Sequence, residues 1–158
     1  MSLSPILAHE TPSTYSSFPL RGMVFEVSLR VRDFSDDLKD LGRAHRVVQS
    51  LLRGQLLGLY ELMDFILWPE GLFLRVSLKG FSTLSEFLTY LKGQSLHPDS
   101  SPRSFWDEDL EWIRVIPPDR REESTRRFLE QASRLRHELG ATDGFDPNLF
   151  FYYRDPLL

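Results

Sequence analysis

Two apolar runs held apart by Pro69-Glu70-Gly71 constrain this chain more than any other feature. Proline and glycine in so short an interval mark a tight turn, so the flanking runs are expected to lie side by side as an antiparallel hairpin. Beyond the turn Leu72, Leu74, Val76 and Leu78 alternate with Phe73, Arg75, Ser77 and Lys79, the period of two that a strand with two different faces requires. Before it, Leu56 to Leu67 is rich in apolar residues but holds Glu61 and Asp64, too mixed for a clean period and consistent with a largely buried strand. Thr83 and Glu86 then form a capping box, and Leu84, Phe87, Leu88 and Leu91 fall at i, i+3, i+4 and i+7, which is one face of a helix ended by Lys92 and Gly93.

The rest of the chain supplies partners for this unit. From Met23 to Arg32 apolar and polar residues alternate, as in a half-buried strand. Ser35 and Asp36 offer N-cap oxygens to a helix that carries Leu38, Leu41, Ala44, Val48, Leu51 and Leu52 and is expected to stop at Gly54. Leu110 to Ile116 reads as a short strand closed by Pro117-Pro118, and Asp119 and Glu122 as caps of a helix that runs to Gly140. The terminal Leu149 to Tyr153 is apolar and aromatic and can add a strand. The order strand, helix, strand, strand, helix, strand, helix is the split βαβ plan. The fold class is therefore α+β and ferredoxin-like, a four-stranded mainly antiparallel sheet with helices on one face.

With 158 residues and 41% hydrophobic content the chain builds one core of ordinary size, assigned to 22–158 behind an irregular arm at 1–21. The absence of cysteine excludes disulfides, thiolate metal sites and cysteine nucleophiles. No uninterrupted apolar run reaches the roughly 20 residues of a membrane helix, and the first residues lack a signal-peptide pattern, so a cytoplasmic location with no membrane partner is expected. A net charge of −4 makes the molecule as a whole repel phosphate backbones, so any nucleic-acid affinity must come from a local positive cluster. His9, His45, His97 and His137 are scattered without ligand spacing, and no phosphate-loop, zinc or serine-elbow pattern occurs.

The element order, the Trp68-Pro69-Glu70-Gly71-Leu72-Phe73-Leu74 segment and the Thr83 to Gly93 helix together resemble the single-tyrosine transposases of the HUH superfamily, in particular the REP-associated branch. The resemblance covers roughly residues 23 to 116. In that family the hairpin turn reads Met-Pro-Asn-His-x-His-Leu, and its two histidines fall here on Gly71 and Phe73. Side chains at i and i+2 of a strand point the same way and can share one cation, but glycine and phenylalanine offer no donor atom. Phe105-Trp106 and Ile113-Arg114 resemble the family's segment around the nucleophilic tyrosine, where this chain holds Asp107, Glu108, Asp109, Leu110, Glu111 and Trp112 and no tyrosine. Transfer of a phosphodiester to a tyrosine hydroxyl needs that nucleophile, so the resemblance implies a frame without catalytic residues, metal or cofactor.

The expected function is accordingly a catalytically inactive transposase-like protein that binds single-stranded or hairpin DNA weakly. Arg75 and Lys79 on the strand after the turn, with Lys92 and Arg114, are the candidate phosphate contacts. The family also implies a homodimer. The alternative is a dimeric protein-interaction or small-ligand module that uses the aromatic tail or the cleft around Gly71 and Phe73. A hydrolase with an unrecognised carboxylate site is a third expectation; Asp107, Glu108, Asp109 and Glu111 cluster near the missing nucleophile, where a surface acidic turn explains them more simply than a cation site.

Overall fold

The computed structural model describes residues 22–32, 36–81, 83–94 and 106–156, which leaves the arm at 1–21 outside the described residues. Strand β1 is Val24–Arg30, helix α1 Leu41–Leu56, β2 Tyr60–Trp68, β3 Gly71–Leu78, α2 Leu84–Gln94, β4 Trp112–Ile116, α3 Arg121–Gly140 and β5 Phe151–Arg154. The strands form a single five-stranded sheet in the order β4-β1-β3-β2-β5, and every neighbouring pair is antiparallel. This is the ferredoxin-like plan with the terminal aromatic segment added as a fifth strand on the free edge of β2.

On one face α1 and α2 bury Ala44, Val47, Leu51, Leu84, Phe87 and Leu91 against Phe25, Val27 and Leu29 of β1 and Leu72, Leu74 and Val76 of β3. Helix α2 starts as the sequence requires: the Thr83 hydroxyl accepts from the Glu86 amide at 3.1 Å and the Glu86 carboxylate from the Thr83 amide at 3.2 Å. Helix α1 starts later than expected. Asp37–Lys39 form a single 3-10 turn that buries Leu38, and Asp40 is the N-cap, accepting from the Gly42 amide at 3.2 Å. Nor does α1 stop at Gly54. That glycine lies inside the helix because the Tyr60 ring occupies the space where a Cβ would stand, with its hydroxyl donating to the Leu51 carbonyl at 2.7 Å.

A register shift between Leu62 and Asp64 explains why β2 lacks a clean period. The extra residue, Met63, forms a bulge that moves the phase by one, so Tyr60 and Leu62 face the same core as Phe65 and Leu67. Asp64, Ile66 and Trp68 are turned to the opposite side of the sheet. Helix α3 lies across that second face and packs Phe128 and Ala132 on Ile66, Trp68 and Phe73. The sheet is thus covered on both sides, α1 and α2 on one and α3 on the other. None of the described helices is long and apolar enough to cross a membrane.

Candidate functional site

Of the positions singled out by the sequence, Gly71, Phe73, Arg75 and Arg114 lie on the face beneath α3. Gly71 pairs with Arg30 of β1 and Trp68 of β2, and a Cβ built on it would stand 2.7 Å from the Leu29 carbonyl oxygen and 3.0 Å from Arg30 Cδ. Backbone oxygen cannot yield as a flexible side-chain tip can, so the position admits only glycine in this arrangement. Phe73 pairs with Ser28 and Ile66, and its ring stacks on Phe128 of α3 at 5.7 Å and tilts against Trp112 of β4 at 6.0 Å. Tyr152 of β5 also stacks on Phe128, at 6.0 Å. The expected cleft around Gly71 and Phe73 is therefore occupied by an aromatic layer, each such pair contributing about 0.5–1.5 kcal/mol beyond the area it buries.

One step along the strands, the pairing register produces a row of charges. Arg114 of β4 stands opposite Glu26 of β1, Glu26 opposite Arg75 of β3, Arg75 opposite Asp64 of β2, and Asp64 opposite Arg154 of β5. Sign alternates across all five strands. Arg75 and Asp64 are both 0% exposed and form a two-point pair, Nε to Oδ1 at 2.8 Å and Nη2 to Oδ2 at 2.6 Å. The remaining Arg75 nitrogen donates to the hydroxyls of Ser124 at 3.2 Å and Thr125 at 2.9 Å on α3. Glu26 accepts from Arg114 through Oε1 at 2.6 and 3.0 Å, and through Oε2 from Ser124 at 2.6 Å and Arg127 at 3.0 Å.

Helix α3 is therefore held by polar contacts to two strands as well as by Phe128. Burial pushes the Asp64 carboxyl above the ordinary carboxylate range, and Arg75 and Arg154 offset only part of that. Burial also raises Glu26, but the Ser124 hydroxyl and the guanidiniums of Arg114 and Arg127 outweigh it and hold its carboxyl below the ordinary range. Both carboxylates have every oxygen engaged by a donor, which leaves neither as a general base or a cation ligand.

The four expected phosphate contacts are not brought together. Arg75 is a correction: it is sealed between sheet and helix, neither at a solvated polar face nor within reach of a phosphate. Arg114 is engaged by Glu26, and Lys92 by Glu111 at 2.8 Å. Lys79 alone lies well into solvent, paired with Glu61 at 2.9 Å. Of the positions near the expected nucleophile, Leu110 is exposed and Glu111 is buried against Lys92, while Phe105 lies outside the described residues. Among the described residues no three histidine or carboxylate side chains gather as a metal ion requires, and the Asp107 to Glu111 turn forms no such group. His9 and His97 lie outside the described residues, and His45 meets the Phe151 ring edge-on at 5.3 Å.

The residues that sequence reading missed are Glu26, Asp64, Ser124, Thr125 and Arg127. Glu26 inside β1 and Asp64 inside β2 were the available signal, because a carboxylate in an apolar strand needs a buried partner. The choice of partner depends on strand order and on the bulge, which no local pattern reveals.

No protein-family model and no curated protein matches the sequence. Among solved structures, the fold is similar to that of a REP-associated tyrosine transposase bound to a REP hairpin, with a TM-score of 0.53 and 16% sequence identity over 67% of this chain. The match spans 64% of that chain, so somewhat over a third of the transposase has no counterpart in the alignment. A likeness at this identity establishes a shared fold.

Proposed function

We propose that the protein is a catalytically inactive relative of the REP-associated transposases that binds single-stranded or hairpin DNA weakly and acts as a homodimer. The observation that carries the reading is the state of the β3 face. Where the resemblance calls for two metal-binding imidazoles, Gly71 is closed off by the Leu29 backbone and Phe73 is stacked under α3. The shared fold with a hairpin-bound transposase supports a nucleic-acid partner, and the exposed arginines of α3 that have no carboxylate partner among the described residues, Arg126, Arg134 and Arg136, supply surface charge for it. The two edge strands, β4 and β5, offer backbone for pairing with a second copy.

Fluorescence anisotropy with a labelled DNA hairpin and a labelled oligothymidine at low salt tests the binding. The expected result is a rise that fades steeply with added salt; a flat trace with both probes removes the nucleic-acid reading. Light scattering tests the dimer, and a monomer mass at working concentration removes it.

A second reading is favoured by one surface feature. Leu56 and Leu57, at the C-terminal end of α1, are 87% and 63% exposed, an apolar tip with no cover from the described residues. A protein-interaction module would use such a tip. Under that reading Leu56→Glu with Leu57→Glu abolishes a partner contact while DNA binding stays absent throughout.

A further inference from the structure

With the β3 face closed, a nucleic-acid site has to be found elsewhere, and the corner between α3 and β5 has the necessary chemistry. Tyr152 is the outer member of the aromatic layer: its ring stacks on Phe128, and the residue remains 39% exposed at the sheet edge. Arg136 of α3 lies over two rings at once, 5.0 Å from the Phe150 centroid and 5.5 Å from that of Tyr152. It is exposed, and no described carboxylate lies within ion-pair distance of it. A guanidinium held over two aromatic rings gives up less freedom when a ligand arrives than one extended into solvent, which lowers the entropy cost of using it.

The helix extends this surface. Leu129 is 42% exposed and lies seven residues before Arg136, two turns along the same face, with Arg126 and Ser133 at the same spacing beside it. Glu122 and Glu130 flank that face and reduce its field, so the binding expected is weak. Exposed ring, ring-held guanidinium and a second arginine in one stripe are the elements from which sequence-tolerant single-strand sites are built: bases stack on the ring and cations follow the backbone.

We infer that the Tyr152–Arg136 corner is a stacking site for an unpaired base of single-stranded nucleic acid. The inference rests on the nucleic-acid reading above and places its site at the edge of the sheet, away from the strand face to which the resemblance points.

The test uses the full chain with labelled oligothymidine, comparing Arg136→Gln, Tyr152→Leu and the control Arg46→Gln, an exposed arginine of α1 on the opposite side of the sheet. Leucine keeps an apolar contact for Phe128, and Arg136 is a surface residue, so circular dichroism of both variants is expected to match the parent. Tyr152→Leu is expected to weaken binding about tenfold through loss of one stacked base. Arg136→Gln is expected to weaken it severalfold and to lower the slope of log affinity against log salt by about 0.7. The control leaves both quantities unchanged. If the parent binds but Arg136→Gln and Tyr152→Leu bind equally well, or if Arg46→Gln weakens binding as much as Arg136→Gln, the corner is not the site, although DNA binding as such stands. If the parent binds neither oligothymidine nor hairpin, both readings fall together.

Discussion

Replacing Arg75 by methionine removes the centre of the charge row. Methionine fills most of the same volume, so the change is largely electrostatic. It deletes two charge-assisted bonds to Asp64 and the donors to Ser124 and Thr125, and leaves the wholly buried Asp64 facing only Arg154 at 3.8 Å. Breaking one side of a buried pair costs about 3–5 kcal/mol, most of it the penalty of a buried charge without its partner. Against a total stability of about 5–15 kcal/mol this is a large fraction. With a denaturant slope of about 2 kcal/mol per molar urea, a loss of about 4 kcal/mol moves the unfolding midpoint down by roughly 2 M. The assay is urea unfolding followed by circular dichroism for Arg75→Met, Asp64→Leu and the double variant. The double variant is expected to recover well over half of the loss, because two apolar side chains carry no desolvation penalty. A loss below about 1 kcal/mol for Arg75→Met, or strict additivity in the double variant, would show that the pair is not sealed as described.

Other consequences are equally direct. Gly71→Ala is expected to destabilise the protein by about 1–3 kcal/mol, since its Cβ meets the Leu29 carbonyl at 2.7 Å, and thermal unfolding reads this out. Gly71→His combined with Phe73→His is expected to lower stability further without creating manganese affinity in calorimetric titration. Gly54→Ala, which by helix propensity alone stabilises by about 0.5–1 kcal/mol, is expected to destabilise instead because Tyr60 holds the space; a rise in melting temperature would refute that packing. The Glu26 carboxyl is held below its ordinary value of 4.5, so its contribution is present above that pH and is lost as pH falls through the lower folded-state value. Urea titrations across acid pH should therefore show the advantage of the parent over Glu26→Gln shrinking below pH 4.5, and an advantage that is constant down to pH 2 contradicts the assignment.

Local patterns carried the architecture far. Alternation in β1 and β3, the Pro69 to Gly71 turn and the Thr83–Glu86 box sufficed for the βαββαβ order, because each is decided by residues close in sequence. The boundaries of α1 were not legible, since Gly54 looks like a stop signal and is in fact a vacancy filled by Tyr60 from the next strand. Arg75 was misjudged for a similar reason. On a strand, alternation tells which residues share a face but not whether a third element covers it, and α3 lies about fifty residues away in the chain. The mixed charges of α3 resemble those of a solvent-facing helix, although Ser124, Thr125, Arg127 and Phe128 turn one side of it onto the sheet. The aromatic tail adds the strand that its composition predicts: Phe151 and Tyr153 join the first core, while Tyr152 and Phe150 meet α3 on the other side.

Incubation of the purified chain with an end-labelled single-stranded or hairpin DNA and manganese or magnesium, followed by a denaturing gel, tests most directly whether this architecture is without strand-transfer chemistry. The expected outcome is intact DNA and no protein-linked label at any cation concentration. A cleaved strand, or a covalent protein–DNA band that depends on the cation, would mean that a nucleophile and a metal site operate despite the closed β3 face.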